Sequence, residues 1–168
     1  MNSFFAKCFL DLQEHIKKEV PEIRWTDQNF GQYGDPEFPA KVAFPAALID
    51  FSNTAYSAIG GNDQLGNATI NIVLLFNPFS QSYNLAPTQV KQKALEYYEV
   101  EHKLCKALQG WSMDYFTPLA RINAISQNRN EIGLRIRDLN FSTEFEDYNN
   151  EDETTQAVTF AFKGNLNS

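Results

Sequence analysis

The stretch Lys41 to Pro78, KVAFPAALIDFSNTAYSAIGGNDQLGNATINIVLLFNP, decides how the rest of the chain is read. From Ala68 to Phe76 one parity is Ala68, Ile70, Ile72, Leu74 and Phe76, and the other is Thr69, Asn71, Val73 and Leu75. Alternate residues of a strand point to opposite faces, so this pattern predicts a strand with one face buried and its apolar end buried on both. Val42 to Phe51 reads as a second, less regular strand. Pro45 has no N–H to donate and fits an edge, a bulge or a strand end. Between them lie Ser52 to Gly66, rich in Ser, Asn and Gly. That span is much longer than a hairpin loop of about two to five residues. It is expected to form a long polar loop rooted in two good strands, where the protein meets a partner.

Helices are expected on either side of this unit. Phe5, Cys8 or Phe9, Leu12 and Ile16 recur at helical spacing and predict an amphipathic helix over Ser3 to Glu19, ended by Pro21. Ile23-Arg24-Trp25 reads as a short strand. A second helix is expected from Pro87 to Gln109, with Gly110 suited to the left-handed residue after the last turn. Its apolar stripe is read as Leu95, Tyr98, His102 and Cys105, widened by Ala94, Leu104 and Leu108. Glu14 with Lys18, and Glu99 with Lys103, sit four apart and are expected to pair.

Two further strands are expected over Phe116 to Ser126 and Ile132 to Phe145, joined by the polar turn QNRNE. Ile132, Leu134 and Ile136 alternate, then Leu139, Phe141 and Phe145 resume on the opposite parity. One inserted residue would keep both sets facing one core, so a bulge is expected between Ile136 and Leu139. Glu144 to Glu153 is read as an exposed acidic loop, extending to about residue 155, followed by a strand over Ala157 to Phe162. The reading is one α+β domain over residues 1–168: a mostly antiparallel sheet with two helices packed on one face and a long loop between two central strands.

Composition narrows the function. The 168 residues carry a net charge of −7, which excludes coating nucleic acid by neutralising phosphates with clustered Lys and Arg. Aromatic residues make up 14% of the chain, above the need of a core, which leaves some for contacts with other chains. No apolar run approaches the roughly 18 residues that cross a bilayer, and the N-terminus lacks the order of a signal peptide. Residence in the cytoplasm is expected. No P-loop, Rossmann glycine motif, nucleophile elbow or zinc-binding His pair is present. Cys8 and Cys105 read as buried free thiols, and His15 and His102 as helix residues. The acidic run lacks the spacing of a calcium loop. No catalytic residue, metal site or cofactor is expected. The arginines Arg121, Arg129, Arg135 and Arg137 read as solvent-facing strand residues or as contacts to an acidic partner.

An N-terminal helix, a segment ending in Phe44-Pro45-Ala46, a strand, the polar loop Ser52 to Gly66, the strand Ala68 to Phe76, the helix Pro87 to Gln109 and a closing strand pair follow one another. This layout resembles the tail-terminator (tail-completion) proteins of long-tailed bacteriophages and related particles, from about Ser3 to Asp147. The resemblance implies a non-enzymatic structural protein that forms a ring, typically hexameric, capping the tail tube and joining it to the head. It implies contacts with its own copies, the tail tube protein and a neck or connector protein. DNA would pass the lumen unbound, assembly would occur in the host bacterial cytoplasm, and neither a membrane nor a small-molecule substrate would be involved. Candidate oligomer or tube contacts are Asn53, Tyr56, Ile59, Asn62, Asp63, Gln64, Arg135 and Arg137. The alternative is a cytoplasmic module binding a small ligand or peptide between helix and sheet.

Overall fold

A long β-hairpin is the spine of the sheet. The computed structural model describes residues 3–77, 82–127 and 131–148. In it β2 (Ala46–Gly60) and β3 (Asp63–Phe76) pair antiparallel from end to end. On the far side of β3 lies β5 (Arg135–Asp147), and outside that β4 (Ala120–Gln127), both antiparallel to their neighbours. The short β1 (Trp25–Gln28) runs parallel to β2. Among the described residues this makes one five-stranded mixed sheet in the order β1-β2-β3-β5-β4. Helices α1 (Phe4–Glu19) and α3 (Thr88–Leu108) pack on one face, so the fold is α+β as expected.

The even residues of β3 face the helices as the alternation requires. Ala68, Ile70, Ile72, Leu74 and Phe76 share a core with Cys8, Leu12 and Ile16 of α1 and with Leu104 and Leu108 of α3. Each fully buried Leu or Ile contributes about 1.5–3 kcal/mol relative to an exposed one. The other parity at the apolar end, Val73 and Leu75, joins Ala46, Leu48, Leu134 and Ile136 in a second cluster on the opposite face. Phe38 of the short α2 (Phe38–Lys41) belongs to that cluster, with Tyr33 and Phe44 packed against it. Ser3 caps α1, its Oγ accepting from the N–H of Ala6, and Lys17 and Lys18 suit the negative end of the helix dipole.

Several expectations are corrected. Ser52 to Gly66 is not a loop: both strands continue through it and close on the two-residue turn Gly61-Asn62. No bulge separates Ile136 from Leu139, because β5 pairs with β3 in unbroken register. The change of parity reflects a sheet covered on both faces, with Leu134 and Ile136 in the second cluster and Leu139, Phe141 and Phe145 in the first. The register shifts fall instead in β2, at Phe51/Asn53 and Ala58/Gly60, and in β4, at Arg121/Asn123. Glu144 to Asp147 belong to β5 and not to a loop.

On α3 the buried stripe is Val100, Glu101, Leu104, Cys105 and Leu108, while Leu95, Tyr98 and His102 are exposed. Lys18 pairs with Glu19 at 3.1 Å, and Lys103 pairs with Glu22, in place of the expected partners Glu14 and Glu99. The remainder of the acidic stretch after Tyr148, the strand expected over Ala157 to Phe162, and Arg129 lie outside the described residues.

Candidate interaction surface

Beyond its buried root the β2–β3 hairpin becomes an arm. Ala47, Ile49 and Phe51 of β2 face the helices, opposite Leu74, Ile72 and Ile70. The bulge after Phe51 then shifts the parity, so that Thr54, Tyr56 and Ala58 stand opposite Ala68, Gly66 and Gln64 on that same side. From Asn53 to the turn is roughly eight residues, about 27 Å of strand. At the tip Gly61 has φ of 56°, a left-handed conformation that favours glycine in a tight hairpin turn.

The arm is braced. β5 runs alongside β3 as far as the pair Gln64–Asp147, which makes it three-stranded almost to the turn. Phe145 stands opposite Gly66 and lays its ring in the space a side chain there would occupy: a Cβ on Gly66 would lie 2.5 Å from Cζ of the ring. That ring also stacks on Phe4 of α1, with centroids 3.6 Å apart and planes at 5°. Tyr56 meets the Phe145 ring edge-on at 6.1 Å while remaining 45% exposed. The arm is therefore anchored to α1 by aromatic contact at its base.

The face turned away from the helices is small and polar. Asn71 Nδ2 donates to Asn140 Oδ1 (3.0 Å), and Asn140 Nδ2 donates to Asn123 Oδ1 (2.8 Å), forming a row of amides across β3, β5 and β4. Asp50 stands next in that row, opposite Asn71. Toward the root lies the second apolar cluster. Toward the tip come Asn53 opposite Thr69, and Asn67 donating to Glu144 at 3.3 Å. Glu146, on the same parity of β5, accepts from the Tyr148 hydroxyl, which raises the phenol's pKa. This amide row was not singled out from the sequence, since Asn71, Asn123 and Asn140 become neighbours only through strand register.

Six candidate contact residues are spread along the arm. Asn53, Tyr56, Ile59, Asn62 and Gln64 are exposed along the arm, Ile59 at the second register shift and Asn62 in the turn, with Asp63 half-buried beside it. Arg135 and Arg137 are not part of this group. They lie at the other end of β5, opposite Phe76 and Leu74, so that Arg137 stands eleven residues along the sheet from Asp63, about 37 Å away. Arg135 places its guanidinium 4.9 Å from the Tyr97 ring centroid. Arg137 grips Glu101 of α3 through Nε (2.6 Å) and Nη2 (2.8 Å), and also donates to Ser126. Its expected solvent-facing role is corrected: the pair is largely buried, and the hydrogen bonds to Glu101 raise the arginine's pKa further.

Several other titratable groups make contacts within the fold. His15 stacks on Trp111 and its Nε2 lies 2.9 Å from the Ala107 carbonyl. Tyr115 donates to Asp11, and Lys7 lies over the Tyr115 ring. Both cysteines are buried free thiols, as read from the sequence. Among the described residues no three His, Cys, Asp or Glu side chains converge to hold a metal ion. None of the described helices is long and apolar enough to cross a membrane. A groove of about 320 Å³ lies between the first half of α3 and the root of β2, bordered by Phe44, Phe76, Lys93 and Tyr97.

No family model matches the chain, and no curated protein matches it. Among solved structures it is similar to a chain from the virion of a native gene transfer agent particle. That likeness has a TM-score of 0.40 and 11% identity, over 81% of this chain and 84% of the other.

Proposed function

We propose that the chain is a non-enzymatic structural protein of a phage or phage-like particle, whose copies form a ring that caps the tail tube and joins it to the head. The observation that carries this reading is the braced arm. A strand pair stiffened by a third strand and braced on α1 at the level of Tyr56 and Phe145 carries Ile59 and the turn Gly61-Asn62 beyond that contact. Such an arm suits a head-to-tail contact, in which a projecting element of one copy meets a different surface of the next and the rotation closes into a ring. The layout of elements noted in the sequence, with the span Ser52 to Gly66 paired as strand and not looped, supports the same assignment. The net charge of −7 and the carboxylates Asp50, Glu144 and Glu146 on one sheet face would repel DNA, which suits a lumen that DNA traverses without binding. Neighbouring copies, the tail tube protein and a neck or connector protein are the partners in this reading, and assembly takes place in the host bacterium.

The test replaces Ser57 to Leu65 by a Gly-Asn turn, closing the hairpin at the Tyr56–Gly66 pair and keeping the packing of Phe145. The shortened protein should fold, but should neither form rings at high concentration nor cap tail tubes under the electron microscope. If the intact protein does neither with tubes from its own particle, the reading fails. The groove beside Tyr97 favours a second reading, a small-ligand or peptide module, being at the small end of the range for ligand pockets. A saturable rise in Tm with a small ligand, in a chain that caps no tubes, would select it.

A further inference from the structure

The end of the arm is acidic as well as exposed. Asp63, Glu144, Glu146 and Asp147 lie along it, and neither Ser52 to Asn67 nor Phe141 to Tyr148 contains a Lys or Arg. Tyr56 and Ile59 supply its large apolar side chains, each about half exposed. A surface complementary to it is basic, with apolar side chains at its centre.

One flank of α3 has that character. Lys91, Leu95, Tyr98 and His102 follow at spacings of four, three and four, so they form one row along the helix. Leu95 and Tyr98 are 44% and 45% exposed, although a helix usually turns its large apolar residues inward. The rings of Tyr97 and Tyr98 lie 4.1 Å apart, with the Arg135 guanidinium 4.9 Å from the Tyr97 centroid. The Tyr98 hydroxyl is held below its ordinary 10.0, first by its hydrogen bond with Tyr97, with the charges of Arg135 and Arg137 adding to the effect. The local field there favours an anion. Farther along the flank, Gln109 Oε1 accepts from the N–H of Arg121, which adds a further cation. Glu99 borders the row beside Lys106 on the helical wheel, and Glu101 is already paired with Arg137. Cations therefore outnumber free carboxylates on this flank.

We propose that the arm end of one copy docks on this α3 flank of a second copy, with Tyr56 and Ile59 against Leu95 and Tyr98 and the arm's carboxylates among the flank's cations. The inference rests on the ring reading above and names the two surfaces that meet. Distance selects a second copy over the chain itself. Tyr98 lies beside Arg135, at the opposite end of β5 from Asp147, about 40 Å along the strand. The braced arm cannot fold back over that span. Because the two surfaces differ, the contact is head-to-tail and repeats from copy to copy.

The experiment compares the full chain with Ile59→Asp on the arm and Leu95→Asp on the flank, by sedimentation and by capping of tail tubes. Both positions are about half exposed, so both variants should melt as the intact protein does. Each should need at least about tenfold more protein to assemble. Phe30→Asp, at a residue 78% exposed beside β1, should assemble normally. In a second arm, Ile59→Cys protein is mixed with Leu95→Cys protein and treated with a short bismaleimide. Cross-linked dimers should appear in the mixture and in neither protein alone, since the natural thiols are buried. If an Asp variant melts early, this cysteine pair decides by itself. Unchanged assembly of a folded Leu95→Asp, or no cross-link in a protein that assembles, would overturn the docking surface and leave the ring reading standing. Loss of assembly in Phe30→Asp with Leu95→Asp unaffected would do the same, by moving the contact to the β1 edge. If the intact protein neither assembles nor caps tubes, the ring reading falls and this inference with it.

Discussion

Replacing Gly66 by alanine tests whether the arm is anchored as described. The added methyl would lie 2.5, 2.6 and 3.1 Å from Cζ, Cε1 and Cε2 of Phe145. The ring has little room to retreat, because Phe4 stacks against it at 3.6 Å and Phe145 is only 4% exposed. Overpacking of this kind costs about 1–3 kcal/mol. Alanine within a strand recovers about 0.5–1 kcal/mol relative to glycine. The net expectation is a loss of about 1–2 kcal/mol in urea unfolding, with the m-value unchanged. Leucine at position 145 lacks the three clashing ring atoms, so in a Phe145→Leu background the same Gly66→Ala change should become neutral or stabilising. The difference between the backgrounds gives a coupling energy of about 1–3 kcal/mol in a double-mutant cycle, the size found for directly packed residues. Equal cost of Gly66→Ala in the two backgrounds, or a gain in the natural one, would refute the packing of Phe145 on Gly66.

Other consequences follow from the core. Ile72→Asp puts an unpaired charge at a position with no exposure and should abolish soluble folding; a soluble, cooperatively melting variant would show that β3 is misplaced. Arg137→Ala leaves Glu101 buried without its partner and should cost about 3–5 kcal/mol. The joint change Glu101→Met with Arg137→Leu should be close to neutral in the same denaturation assay. Burial pushes the Cys8 thiol up to about 12, with the nearby Asp11 adding to the effect, from an ordinary value of 9.0. The folded state therefore holds that proton more tightly than the unfolded state. Its contribution is complete below about pH 9 and is lost as pH rises toward 12, so Tm should fall across that window. The loss should be reduced in Cys8→Ala, and an identical decline in both proteins would count against the assignment.

The sequence by itself determined the elements whose side chains face two different media. β3 and α1 were legible because one face of each is apolar and the other polar, and a period of 2.0 or 3.6 residues is then written into the order of residues. The α+β class followed from those elements. The arm was not legible: Ser52 to Gly66 carries mostly small polar residues and is exposed along most of β2, so no alternation marks it. Only pairing with β3 and β5 makes it a strand, because those neighbours satisfy its backbone hydrogen bonds. The bulge after Phe51 conceals the pattern further by moving the core-facing set from odd to even residues. On α3, Glu101 interrupted the true buried stripe, and only Arg137, distant in sequence and delivered by β5, makes its burial tolerable. The apparent slip between Ile136 and Leu139 recorded two cores on two faces, which strand order and the α2 region decide. Local periodicity reports burial wherever a segment has one buried face. Register, edge position and charge partners belong to residues far apart in the chain, and only the tertiary structure brings them together.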